Sequence, residues 1–141
     1  MNHPHKPFFA VSCALIENNG KVLIALRKGH HSNGHTWEFP GGKMEPGETP
    51  EQCLQREIRE ELSIDIAIKD KLPDVVYEYP EKIVRLMPFI CHYKGDKILC
   101  NTHARVQWVD PEEFENFTWS QADIGVWQQY RKLLNGGDGT P

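Results

Sequence analysis

The stretch from Thr49 to Leu62, TPEQCLQREIREEL, constrains this chain more than any other. Thr49 is a helix-capping residue, and Pro50 suits the first helical position, where a missing N–H costs nothing. Gln52 stands where its side chain closes a capping box with Thr49. The pattern predicts a helix from Pro50 to Leu62. Leu54, Ile58 and Leu62 recur every four residues and form one apolar stripe, so the helix has to dock on a core. At about 100° per residue, Glu57, Glu60 and Glu61 fall beside that stripe, with Glu61 closest to it. Three carboxylates thus share one patch.

A helix built only for stability would avoid that patch. Glu57 and Glu61 are like charges one turn apart, which costs a few tenths of a kcal/mol, and half-burying Glu61 without a partner costs more. A hard divalent cation removes both objections, because oxygen ligands are what Mg²⁺ or Mn²⁺ selects. The plainer alternative is a solvated charged face with Arg56 paired to Glu60. The preceding segment decides between them. Gly41, Gly42 and Gly47 flank Lys43 and Glu48, which predicts a loop that takes up positive φ, approaches a ligand closely and runs straight into the acidic helix.

Gly42, then Glu48, then Arg56-Glu57-Ile58-Arg59-Glu60-Glu61, then Ile64 resembles the Nudix box. One position departs: the family usually has Gly where this chain has Ser63, at the left-handed end of the helix. The run Trp37–Gln52, WEFPGGKMEPGETPEQ, resembles the MutT branch of the family, and a looser similarity extends from Phe8 to about Leu134.

The rest of the chain suits one domain of ordinary size. With 141 residues it is long enough for a sizeable core. The expected division is a loose N-terminus at 1–7, a folded domain at 8–134 and a glycine-rich tail at 135–141. A formal net charge of −4 and the absence of a basic run argue against a nucleic-acid polymer as partner, while a free nucleotide carrying its own metal is compatible. No apolar run is long enough for export or membrane insertion, so the expected location is cytoplasmic, as a monomer or homodimer. Cys13, Cys53, Cys91 and Cys100 have no zinc-site spacing and read as reduced structural thiols. His30, His31 and His35 lie in a polar loop without converging spacing and are not expected to hold a metal.

Two apolar runs, Phe8–Glu17 and Lys21–Leu26, joined by Asn18-Asn19-Gly20, predict a hairpin. Trp37-Glu38-Phe39-Pro40 predicts a short strand entering the glycine loop, and Arg27, ending the hairpin, falls near any phosphate bound there. Further strands are predicted at Asp65–Ile68, Val75–Tyr79, Lys82–Tyr93 and Arg105–Val109, a helical turn after Asp110, and a helix at Gln121–Leu134. Ile124, Trp127, Tyr130, Leu133 and Leu134 are its expected apolar face. The economical architecture is α/β, a mixed sheet with helices on both faces. It agrees with the α/β/α sandwich that the resemblance implies.

The resemblance also implies chemistry. Nudix enzymes hydrolyse a nucleoside diphosphate linked to another moiety, and MutT-like members cleave nucleoside triphosphates such as 8-oxo-dGTP to monophosphate and pyrophosphate. It implies Mg²⁺, with Mn²⁺ as the alternative, held by Glu57, Glu60, Glu61 and the Gly41 carbonyl. Glu57 also orients or deprotonates the water, Glu48 supports it, and Arg56 clamps the carboxylates. Arg27, Glu38, Phe39, Pro40 and Gly41 match the nucleotide side. Asp123 matches a base-reading position, although a helix N-terminal Asp favoured by the dipole explains it equally well from the residues alone. Many relatives place another metal-binding Glu before the tryptophan strand, but no acid stands between Asp96 and Asp110 here, leaving Asn101 or His103 as substitutes, or water, or a lost site. The competing readings are a cytosine nucleotide pyrophosphohydrolase, a Nudix hydrolase of another nucleoside diphosphate derivative, and a non-catalytic sensor domain.

Overall fold

A computed structural model describes residues 5–29 and 35–136. His30, His31 and most of the two expected loose ends lie outside the described residues. Among the described residues eight strands form one mixed sheet, with β1 (Phe8–Asn18) and β7 (Ile83–Tyr93) as its parallel centre, paired from Phe8↔Ile83 to Glu17↔His92. β2 (Lys21–Leu26) joins β1 through Asn19 and Gly20, both with positive φ, as a tight hairpin turn requires. β3 (Trp37–Glu38) and β8 (Arg105–Val109) flank β2, while β5 (Ile66–Lys71) and β6 (Val75–Glu78) pair with β7.

Side chains of the central strands alternate between two cores. Cys13 and Leu15 of β1, with Val22 and Ile24 of β2, face a core closed by α2 (Gln121–Leu134). Ala14 and Ile16, with Leu23, face the core closed by α1 (Pro50–Leu62). Both faces of the strands are covered, which is why these runs read as continuously apolar rather than alternating. α1 docks through Leu54, Ile58 and Leu62, all fully buried.

Three expectations need correction. Gly41–Lys43 is not a loop but a strand, β4, paired antiparallel with β1 from Val11↔Lys43 to Cys13↔Gly41. β5 is shifted to Ile66–Lys71, because a bulge between Ile68 and Asp70 lets it follow β7 further. On α2 the buried face is Ala122, Asp123, Val126, Trp127 and Tyr130, while Leu133 and Leu134 are exposed. The helix is rotated so that Gly125 meets β6, where an added Cβ would lie 3.0 Å from Val75 Cγ1.

Candidate active site

α1 begins and ends as its sequence demands. Thr49 Oγ1 accepts from Gln52 N at 3.1 Å and Gln52 Oε1 accepts from Thr49 N at 3.0 Å, completing the capping box. At the other end Ser63 adopts the left-handed conformation, φ 59°, that glycine would otherwise supply. Asn101 explains how a serine is held there: its Nδ2 donates to Ser63 Oγ at 2.9 Å and to the Glu60 carbonyl at 3.0 Å. Asn101 N donates to the Glu61 carbonyl and Leu99 N to the Leu62 carbonyl, so the last turn's orphan acceptors are satisfied. The amide of Asn101 is therefore committed to capping.

β4 sets the carboxylates against the sheet. A Cβ on Gly42 would lie 2.2 Å from the Glu57 carboxyl carbon, so the absent side chain is the space Glu57 occupies. A Cβ on Gly41 would lie 2.0 Å from the Ser12 carbonyl oxygen, so only glycine lets β4 lie this close to β1. Gly41 N donates to Glu61 Oε1 at 3.1 Å. Burial, followed by the charges of Glu38 and Glu57, pushes the Glu61 carboxyl up to about 8, against that one stabilising N–H. Burial also raises Glu57, although Arg56 opposes the shift.

Arg56 is the hub. It grips Glu48 bidentately, Nε to Oε2 at 2.6 Å and Nη2 to Oε1 at 2.9 Å, and its Nη1 reaches Glu57 at 2.8 Å and Glu60 at 3.2 Å. The grip holds Glu48 down to about 2 and keeps the guanidinium firmly charged. Among the described residues no group of three or more His, Cys, Asp or Glu side chains is gathered as a metal site. Glu57 and Glu60 instead lean on Arg56.

The nucleotide-side residues divide. Glu38 and Arg27 come together, with Arg27 Nη1 at 3.3 Å from Glu38 Oε1. Glu38 is also bonded by His103, whose Nε2 is 2.8 Å from Oε2. Pro40 is buried, and the Phe39 ring is buried against Phe114 and Trp119 rather than turned outward. Asp123 is 6% exposed and accepts from Phe39 N at 2.9 Å. Its carboxyl is raised by burial and by Glu38, with the Phe39 N–H and Arg27 opposing.

Beside these residues lies a cavity of about 190 Å³ lined by Arg27, Thr36, Tyr79, Lys82, Ser120 and Gln121, among others. Tyr79, Lys82 and Thr36 escaped the sequence reading. Their convergence depends on contacts such as Trp37 N to the Thr118 carbonyl at 2.8 Å, Thr36 Oγ1 to Ser120 Oγ at 3.1 Å and Ala122 N to Tyr79 Oη at 3.0 Å. The available signal was the aromatic pair of Tyr77 on the edge strand β6 and Tyr79 just beyond it, now in edge-to-face contact.

The NUDIX domain family matches residues 6–130. This chain belongs to the Nudix family. Nudix hydrolases generally use divalent metal ions. This Nudix chain is 32% identical over 123 residues to the CTP pyrophosphohydrolase of Escherichia coli (strain K12), an alignment covering 87% of this chain and 91% of the relative. It is 40% identical over 76 residues to the 8-oxo-dGTP diphosphatase of Proteus vulgaris, covering 54% and 68%. The solution structure of the E. coli ORF135 protein superposes with a TM-score of 0.82 at 29% identity, over 96% of each chain. Among the described residues no helix is long and apolar enough to cross a membrane.

Proposed function

We propose that this Nudix domain hydrolyses nucleoside triphosphates to the monophosphate and pyrophosphate, with Mg²⁺ or Mn²⁺ as cofactor. The observation that carries the reading is the pair of α1 carboxylates seated on β4, Glu61 on the Gly41 N–H and Glu57 in the space beside Gly42, together with a polar cavity lined by Arg27 at the end of β2. A larger and more open groove of about 480 Å³ along α1 is lined by Gln52, Gln55 and Arg59 together with Arg56 and Glu60.

The donor set fits a hard divalent ion. Glu57, Glu60, Glu61 and the Gly41 carbonyl offer only oxygen, and Glu61, shifted to about 8, stays protonated at neutral pH unless a cation stands beside it. When bound, such an ion neutralises phosphate oxygens and activates water. Arg56 now occupies the carboxylates of Glu57 and Glu60, serving as their counter-charge. Glu48, held ionised, fixes Arg56, and Arg56 fixes the Glu57 carboxylate, to which we assign the proton of the attacking water. On the nucleotide side, Arg27 and Lys82 offer positive charge, Tyr79 an aromatic wall, and Glu38 and Asp123 hold the β3–β4 backbone and Arg27 in place.

For the base we take 8-oxoguanine first. Cytosine is the second reading, favoured by the E. coli CTP pyrophosphohydrolase, which this chain matches over nearly its whole length. Pyrophosphate release from 8-oxo-dGTP, dGTP, CTP and dCTP in Mg²⁺ tests both. Release from none of them overturns the triphosphate reading, and an 8-oxo-dGTP rate no better than that of dGTP transfers the assignment to cytosine nucleotides.

A further inference from the structure

The segment between β7 and β8 has no regular structure, yet it is anchored at both ends. Leu99 and Asn101 donate to the carbonyls of Leu62 and Glu61 at the end of α1, and Ala104 N donates to the Leu26 carbonyl at the end of β2, 2.8 Å away. Between the anchors, the Cys100 thiol lies 3.2 Å from the His103 carbonyl. The segment is thus a strap from the carboxylate helix to the strand that delivers Arg27.

His103 is the buried side chain of that strap, 7% exposed. Its Nε2 is 2.8 Å from Glu38 Oε2 and its Nδ1 is 3.3 Å from Thr102 Oγ1, while Arg27 takes the other Glu38 oxygen. A carboxylate oxygen accepts, so Nε2–H is the donor toward Glu38, and in that tautomer Nδ1 accepts from the Thr102 hydroxyl. Glu38 is close enough to Glu61 and Asp123 for its charge to oppose the ionisation of both. His103 and Arg27 thus hold one oxygen of Glu38 each, and removing His103 leaves Oε2 without its partner.

We propose that His103 is a positioning residue: it locks the Glu38–Arg27 pair at the nucleoside cavity and ties that pair, through the strap, to the end of the helix bearing Glu57, Glu60 and Glu61. The proposal rests on the nucleoside triphosphate reading for its kinetic consequence, but not for its geometry. His103→Leu raises KM for the preferred nucleotide roughly 10- to 100-fold, the usual range for an outer partner of a site residue, and leaves kcat nearly unchanged. His103→Gln, which keeps a donor near the Nε2 position, restores most of the loss. In a Glu38→Gln background, His103→Leu adds less than about twofold, because the two act as one unit.

A histidine that serves stability alone predicts otherwise: a lower melting temperature, a loss in kcat, no rescue by Gln and a full multiplicative effect in the Glu38→Gln background. Any of the last three overturns the proposal. Long-range ¹H–¹⁵N NMR of the metal-free chain at pH 8 gives an answer that needs no substrate. The imidazole is the Nε2–H tautomer in the wild type and moves toward a mixture in Glu38→Gln; an Nδ1–H tautomer, or no response to that substitution, refutes the contact. If the wild type releases no pyrophosphate from any triphosphate, the functional reading falls while the NMR result still decides the role of His103.

Discussion

Glu61→Gln separates a metal site from a merely acidic helix face through the stability of the metal-free protein. The ordinary Glu value is 4.5 and burial among Glu38 and Glu57 lifts Glu61 to about 8. Between those values the folded chain holds a proton that the unfolded chain has released, so stability falls as pH rises through the window and is level above it. The ceiling on that loss is about 5 kcal/mol, and with relaxation of the site a realistic figure is roughly 2 to 3 kcal/mol. Glutamine keeps the acceptor for Gly41 N–H and never ionises. In chelator at pH 8.5, Glu61→Gln therefore melts roughly 6 to 10 °C above the wild type, whereas near pH 4 the two converge. Thermal unfolding by circular dichroism at both pH values is the assay. Added Mg²⁺ reverses the order at pH 8.5 by stabilising the wild type, and turnover by the variant is lost. An equal melting difference at both pH values, or full turnover by Glu61→Gln, refutes the reasoning.

The neighbouring glycines give opposite outcomes on the same assays. Gly42→Ala meets only the movable end of Glu57, so melting changes by less than about 3 °C while turnover drops at least roughly 100-fold. Gly41→Ala drives a methyl into the Ser12 carbonyl and forces β4 off β1, costing on the order of 3 kcal/mol or more, read as loss of the folded state in urea. Arg56→Lys cannot reproduce the two-toothed grip on Glu48, so kcat falls roughly 10- to 100-fold with KM little changed, measured by pyrophosphate release. Asp123→Ala strands the buried Phe39 N–H and lowers stability by about 1–3 kcal/mol, while Asp123→Asn retains an acceptor. A flattened base preference in Asp123→Asn with unchanged melting assigns the carboxyl to base reading, and an unchanged ranking assigns it to holding β4.

What could be read from the chain alone was whatever the chain settles within one or two turns. Thr49, Pro50 and Gln52 start α1 by contacts three residues apart, and the bounds of both helices agree with their patterns. Arg56 reaching Glu48 is likewise a contact eight residues long within one loop and helix. β4 was missed for a physical reason. Glycines at 41 and 42 have poor strand propensity, and what makes them a strand is close approach to Ser12 and to Glu57, neither of which is local.

The same reasoning says why the nucleotide side resisted. Asp123 meets Phe39 across 84 residues and His103 meets Glu38 across 65, so no periodicity or local spacing records either pair. With no acid between Asp96 and Asp110, the sequence left Asn101, His103, water or a lost site open, and the surroundings of the two residues divide them. Asn101 spends its donors on Glu60 and Ser63, which is the compensation a non-glycine helix end requires, whereas His103 is turned inward onto Glu38. The two residues therefore serve opposite ends of one strap, one finishing the helix that carries the carboxylates and the other fixing the strand that faces the nucleoside. The departure from glycine at position 63 is thus matched by the Asn101 side chain of this segment. Restoring glycine there makes the Asn101 side chain dispensable: Asn101→Ala costs measurable stability in the wild type and less in a Ser63→Gly background. Urea unfolding of the four variants measures that coupling, and equal costs in the two backgrounds would break the link between them.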